Sequence, residues 1–104
     1  MEVFSTQLGT YRGHAYYVRG ESKDGSRKNP GEFAVVVYYR DAKSERSVEV
    51  AKVDTAHGHT HLHRFYRRGE PTAEVDWGFW EAVSELSESW QIYAKRFEKS
   101  RDDE

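Results

Sequence analysis

Four of the five histidines in this chain lie close together in the sequence, at His57, His59, His61 and His63. Imidazole is the side chain that titrates closest to neutral pH, so a histidine can act as an acid, as a base or as a metal ligand. Asp54 precedes the cluster and can orient one imidazole. Three arginines follow the cluster and suit a phosphate group, namely Arg64, Arg67 and Arg68. The segment 54–68 therefore contains most of the parts of a hydrolytic or phosphoryl-transfer site.

In a first interpretation the cluster is a metal-free acid–base site that needs no cofactor. One imidazole would remove a proton from the nucleophile and a second would protonate the leaving group. Asp54 would orient one of them, and Arg64 or Arg67 would hold the phosphate. RNA suits this chemistry as a substrate because its own 2′-hydroxyl is the nucleophile. The predicted catalytic residues are Asp54, His57, His61, His63 and Arg64, and the predicted substrate-binding residues are His59, Arg67 and Arg68.

Two other interpretations of the histidines stay open. Two histidines two positions apart on a strand can bind Zn²⁺ or another divalent metal, with Asp54 or Glu70 completing the set. The candidate ligands are then His59, His61 and Asp54. Alternatively, these are ordinary surface histidines, because clustered titratable groups mark functional sites only in a fraction of cases. The chain would then be a non-catalytic binding or interaction module, with or without a histidine-bound metal.

The first two thirds of the chain predict a sheet. Five stretches are rich in Val, Tyr and Phe and are bounded by Gly, Asp, Asn or Ser, which is typical of strands. They are 4–8, 14–19, 32–40, 47–53 and 59–66. The third stretch is apolar on both faces, so it should lie inside the sheet, with the helix on one side and something else on the other. The segment 41–45 predicts a hairpin turn.

The histidine strand is predicted to follow a tight turn. Gly58 tolerates a positive φ and Asp54 can bond nearby amides, so both favour a turn between the strands 47–53 and 59–66. That turn would carry His57. On the second strand alternate side chains share a face, which groups His59, His61 and His63 with Phe65, and Thr60, Leu62, Arg64 and Tyr66 with one another. If the second group packs under the helix, the histidines face outward or into a cleft.

From Asp76 onward the hydrophobic period becomes that of an amphipathic helix. The apolar stripe consists of Phe79, Val83, Leu86, Trp90, Tyr93 and Phe97. Asp76 is a candidate N-cap, and acidic residues early and basic residues late suit the helix dipole. We therefore predict one α+β domain over residues 1–104, a mostly antiparallel sheet of four to five strands packed against one long C-terminal helix. Residues 1–3 and 100–104 are expected to fray.

The composition excludes several classes of protein. A chain of 104 residues fits one small domain. It has no cysteine, which excludes disulfides, thiolate metal sites and a thiol nucleophile. Neither a signal peptide nor an apolar run of about 20 residues is present, so we expect a cytoplasmic protein without membrane contact. Residues 1–68 carry twelve Lys/Arg against eight Asp/Glu, a modest basic excess that suits phosphate contact. A monomer and a homodimer both stay open.

A short motif in the histidine region resembles a known group of proteins. Asp54, Ala56, His57 and Gly58, followed by another histidine, match the Asp-x-Ala-His-Gly-x-x-His core of small prokaryotic proteins, some of which are similar to the TumE-like toxins of toxin–antitoxin pairs. The resemblance implies a sheet followed by a helix, action on RNA, and an antitoxin as protein partner. It singles out Asp54 and His57. It leaves open whether His59, His61 or His63 is equivalent to the second histidine of that core. We therefore predict a small toxin-like ribonuclease, with the binding module as the alternative.

Overall fold

A computed structural model of the chain describes residues 1–26, 28, 30–55, 59–66 and 72–102. Within these ranges a six-stranded antiparallel sheet lies against one helix, which confirms the predicted α+β class. The strands are β1 (Glu2–Tyr11), β2 (His14–Ser22), β3 (Phe33–Arg40), β4 (Ser47–Asp54), β5 (His61–Arg64) and β6 (Ala73–Glu74), and the helix is α1 (Phe79–Asp102). Each strand pairs with the next one along the chain, so the sheet is a meander.

The sheet has one strand more than the sequence predicts. β6 consists of two residues only, and it pairs with His61 and Leu62 of β5. Two residues are too few to show an alternating pattern, which is why this strand escapes prediction. β1 extends on both sides of the predicted 4–8, through irregularities between Glu2 and Phe4 and between Gln7 and Gly9.

The helix covers one face of the sheet with an apolar stripe. Its buried residues are Phe79, Ala82, Val83, Leu86, Trp90, Ala94 and Phe97. The alternate side chains of β2, β3 and β4 that face it are buried too, and Tyr93 packs against the edge of the same core. The predicted stripe is therefore confirmed. Among the described residues no helix is long and apolar enough to cross a membrane.

The N-cap of the helix lies two residues later than predicted. The carbonyl of Gly78 accepts the first helical hydrogen bond from the amide of Ala82 at 2.9 Å. Glu81 Oε1 accepts a hydrogen bond from the Gly78 amide at 3.3 Å, which is the reverse half of a capping box. Gly78 is thus the N-cap, and the prediction of Asp76 was wrong.

Two glycines let the helix approach the sheet closely. A Cβ at Gly20 would lie 2.6 Å from Cζ of Phe79, and one at Gly9 would lie 2.8 Å from Cζ2 of Trp90. Real side chains do not approach so closely, and a ring packed in a dense core has little room to yield. The missing side chains at these two positions therefore set the distance between α1 and the first two strands.

The other face of the sheet carries no second layer within the described ranges. Val36 of β3 is nevertheless buried there, because it lies between Arg19 and Lys52 on the neighbouring strands. Long aliphatic stems of this kind shield apolar surface while their charged ends stay in water. Tyr17 and Tyr38 stack beside them with ring centroids 5.5 Å apart. We call this surface the open face.

The hairpin turn predicted at 41–45 is confirmed. Asp41 Oδ1 accepts a hydrogen bond from the Lys43 amide at 3.0 Å, and Oδ2 accepts one from the Ser44 hydroxyl at 3.2 Å. The bond from the Lys43 amide is the main reason why the pKa of Asp41 lies below its ordinary value. The carboxylate therefore stays ionised and keeps the turn closed.

Replacement of Gly20 should test the close approach of the helix. We expect Gly20→Ala to lower the free energy of unfolding by about 1–3 kcal/mol, because the buried ring of Phe79 has to shift. Gly31→Ala is the matched control, since a Cβ there meets nothing within 4 Å, and its effect should stay within about 0.5 kcal/mol. Urea unfolding measures both. Equal effects of the two substitutions would contradict this account of the packing.

Candidate acid–base site

β5 places two of the predicted histidines on the open face. In the register of the sheet His61 lies opposite Asp54, and His63 lies opposite Lys52. Directly paired residues of antiparallel strands point to the same side, so the four polar side chains share one surface. Leu62, which lies between the histidines, is buried in the core on the other side. The predicted alternation is therefore confirmed for His61–Arg64, the part of the predicted strand 59–66 that lies in β5.

The carboxylate of Asp54 is the centre of this cluster. Its Oδ2 lies 3.3 Å from Nε2 of His63 and 3.6 Å from Nζ of Lys52. The Asp54 side chain is only 16% exposed, and partial burial strengthens such charge interactions relative to bulk water. A carboxylate in this position fixes the orientation of the imidazole and stabilises the ring when it carries a proton. Because Asp54 engages Nε2, the other ring nitrogen, Nδ1, is available to exchange a proton with a ligand.

The second imidazole is held by a hydroxyl group. Nδ1 of His61 and Oγ1 of Thr72 are 3.1 Å apart. His59 stands further out, 66% exposed, with its Nδ1 3.5 Å from Oε1 of Glu74 and its ring centroid 6.1 Å from that of His61. His61 and His63 are thus oriented by different partners, whereas His59 lies at the margin of the cluster.

An aromatic side chain lies beside the cluster. The ring of Phe65 is nearly parallel to that of His63, with centroids 6.1 Å apart, and the residue is 45% exposed. An exposed ring next to an acid–base group can stack a nucleobase, which is how many single-strand-binding surfaces hold their ligand. Phe65 therefore adds a contact surface to the two imidazoles.

A pocket of about 730 Å³ opens next to Asp54. Its walls come from Met1, from the end of β2 and the start of β3, and from Lys52, Asp54 and His59. This size suits a ligand such as one nucleotide. His61 and His63 are not part of the walls, so a bound group would reach them where the pocket meets β5, at Lys52 and Asp54.

The structure does not bring Arg64 to the histidines. It lies opposite Ala51 on the face that turns toward α1. Burial raises the pKa of Tyr93, and the positive charge of Arg64 partly offsets this rise. The cation beside the histidines is instead Lys52, which is not among the predicted site residues. The signal was present, since Lys52 and Asp54 are two positions apart on one strand and so share a face.

Part of the predicted site cannot be placed. His57, Arg67 and Arg68 lie outside the described residues, as do Glu70 and most of the turn predicted at 54–58. The predicted pair of Asp54 and His57 therefore stays a prediction. Of the predicted residues that the structure does describe, it brings together Asp54, His61 and His63.

The metal interpretation of the histidines stays a prediction. The described residues contain no group of three or more His, Cys, Asp or Glu side chains that could hold a metal ion. The predicted ligands are divided between separate partners. Asp54 interacts with His63 and Lys52, whereas His59 and His61 contact residues in or next to β6.

Comparison with known proteins adds one finding. A family model described as "Domain of unknown function (DUF7718)" matches residues 6–103, which includes every strand after β1 and the helix. No curated protein and no solved structure matches the chain. The resemblance to TumE-like toxins stays a prediction.

Substitution of two apolar residues near the histidines tests which face of this segment points outward. We expect Leu62→Ala to lower the free energy of unfolding by about 2–4 kcal/mol, because Leu62 is buried. Phe65→Ala should cost no more than about 0.5 kcal/mol, because Phe65 lies on the exposed side. Thermal and urea unfolding of the two variants give the comparison. If Phe65→Ala were the more damaging change, the two faces of this segment would be exchanged.

Proposed function

The chain belongs to the DUF7718 family of domains of unknown function, and we propose that it cleaves RNA by acid–base chemistry without a metal ion. One observation carries the proposal. Two imidazoles stand on the same strand face, each held by a neighbouring side chain, and an ammonium group lies beside them. The imidazoles are those of His63, held by Asp54, and His61, held by Thr72, and the ammonium group is that of Lys52.

The spacing of the imidazoles suits a phosphodiester. Positions two apart on a strand are separated by about 6.6 Å, so a phosphate group can lie between two rings that each approach it to hydrogen-bond distance. One imidazole removes the proton of the 2′-hydroxyl, and the 2′-oxygen attacks phosphorus. The P–O5′ bond breaks as the second imidazole donates its proton to the 5′-oxygen, which leaves a 2′,3′-cyclic phosphate. Lys52 offsets the negative charge that grows on the phosphate oxygens.

RNA is favoured as substrate by what surrounds the imidazoles. Phe65 offers an exposed ring for stacking a base, and the neighbouring pocket has the size of a nucleotide. The mechanism uses a nucleophile that RNA itself supplies. It therefore suits a chain without cysteine.

One observation favours a second candidate function. Charges of both signs lie on the open face, where Arg19 forms ion pairs with Glu21 and Glu49. A surface of mixed sign does not attract a polyanion over a distance as a basic surface does. It does suit a protein partner with complementary charges. The second candidate is therefore a non-catalytic interaction module that uses this face.

The experiment compares one labelled oligonucleotide as single-stranded RNA and as DNA, with and without EDTA. We expect the RNA to be cut to a 2′,3′-cyclic phosphate in the presence of EDTA, and the DNA to stay intact because it lacks the 2′-hydroxyl. His61→Gln and His63→Gln should each lower the rate by about 100-fold or more. Asp54→Asn should cause a smaller loss, since it disturbs the orientation of His63.

Asp24→Asn is the matched control for Asp54→Asn. Asp24 is an exposed carboxylate that accepts a hydrogen bond from the backbone amide of Ser26 and contacts no imidazole of the described residues, so this variant should cleave like the wild type. Cleavage that persists in both histidine variants points to a contaminating nuclease and contradicts the proposal. Loss of cleavage with EDTA would contradict the metal-free mechanism. No cleavage by the folded wild type would favour the interaction module.

A further inference from the structure

A second pocket lies at the other end of the sheet and on its helix side. Its volume is about 580 Å³, and its walls come from the β1–β2 turn, the β3–β4 turn and the C-terminal end of α1. The length of β2 separates it from the acid–base site, since His14 begins this strand and Ser22, next to the first pocket, ends it. Eight residue steps along a strand span roughly 26 Å. The two pockets are therefore independent features of the molecule.

A buried carboxylate forms the base of this second pocket. The Glu98 side chain is only 9% exposed. Its Oε1 lies 3.0 Å from Nδ1 of His14 and accepts a hydrogen bond from the hydroxyl of Tyr16 at 3.2 Å. Burial, together with the negative charge of Glu98, raises the pKa of Tyr16, so the phenol keeps its proton and donates it. Oε2 of Glu98 has no hydrogen-bond partner among the described residues. It forms an ion pair with Arg12, whose Nε is 3.7 Å away.

This carboxylate is unfavourable for the stability of the fold. A buried charge costs free energy unless it is fully paired, and within the described residues Oε2 has no hydrogen bond and only the ion pair with Arg12 at 3.7 Å. It also lies near the C-terminus of α1, where the helix dipole disfavours negative charge. A neutral side chain would fill the same space without these costs. What the carboxylate does provide is a fixed orientation for the imidazole of His14.

The imidazole of His14 is held from two directions. Nδ1 faces Glu98, and the ring stacks on Tyr39 with centroids 4.4 Å apart. Its other nitrogen, Nε2, has no hydrogen-bond partner in the described part of the chain, and the residue lines the pocket. A preoriented ring nitrogen is thus available to a ligand.

Three cationic side chains line the pocket together with His14, one from each wall. They are Arg12 from the β1–β2 turn, Lys43 from the β3–β4 turn and Arg101 from α1. Arg101 donates a hydrogen bond to the hydroxyl of Tyr39, which fixes its position at the rim. Two carboxylates share the pocket: Glu98 is bound to His14 and Tyr16 and pairs with Arg12 at 3.7 Å, and Asp41 is bound within its own turn.

We propose that this pocket binds the phosphate group of a small phosphate monoester. The three cations approach from different sides, which suits the three terminal oxygens of a monoester, and charge-assisted hydrogen bonds to phosphate are among the stronger polar contacts. Nε2 of His14 supplies a further contact. Glu98 acts as a positioning residue through His14. A divalent cation is a poor occupant, because the positive charges outnumber the carboxylates.

The test is a titration of ¹⁵N-labelled protein with inorganic phosphate and then with a nucleoside 5′-monophosphate, at constant ionic strength. We expect saturable shifts of the amide signals of residues 12–14 and 41–43. Lys43→Glu should weaken the affinity by about tenfold or more, whereas Lys43→Arg should retain it. Lys43 is exposed in a turn, so both variants should fold, and unfolding curves verify this.

Lys95→Glu is the control for the change in net charge. Lys95 is exposed on α1 and lies outside the pocket, so its variant should bind phosphate like the wild type. Shifts that do not saturate, or equal losses in the two glutamate variants, would overturn the proposal. A single-stranded RNA without a terminal phosphate that bound more tightly to the same amides would overturn the assignment to a monoester. The result does not depend on whether the open face cleaves RNA.

Discussion

The close contact between α1 and the first strands is the constraint on which the rest of the structure depends. Phe79 enters the space above Gly20, and Trp90 enters the space beside Gly9. These two contacts are three helical turns apart, so they fix both the position and the direction of the helix on the sheet. One helix can cover only one face. The polar side chains of the other face, including those of β5, are left to water and to ligands.

The direction of the helix also decides what its last turns meet. Because Phe79 packs near Phe33 at the start of β3, the C-terminal end of α1 reaches the start of β2 and the end of β3. Phe97 there contacts Tyr39, and Glu98 contacts His14. The second pocket is therefore a consequence of the same packing that leaves the open face uncovered. The second pocket, which α1 lines with Glu98 and Arg101, could not exist with the helix reversed.

Local patterns predicted those features that depend on local periodicity. Alternation gave the strands and the outward face of His61 and His63, and the helical period gave the buried stripe. The same alternation placed Arg64 with Leu62, on the face away from the histidines, so its assignment to the site relied on charge alone. The contact of His14 with Glu98 joins residues 84 positions apart, and no local pattern encodes it. The cap of α1 is likewise hidden, because it uses the backbone of Gly78.

The imidazoles of the two sites stand in different mechanical settings. His14 and Glu98 are held by a long strand and a long helix, both anchored in the core. His61 and His63 lie on a strand of four residues, which is paired on its outer side with only two residues of β6. Catalysis needs groups held to a fraction of an ångström, whereas binding tolerates more freedom. For the open face to act as an acid–base site, the outer part of the sheet therefore has to gain rigidity from its ligand. A stacked base on Phe65 and a phosphate beside Lys52 would provide it, since they contact β5 and β4 on the same side. Under the proposed function, substrate binding and the ordering of the site would therefore be a single event.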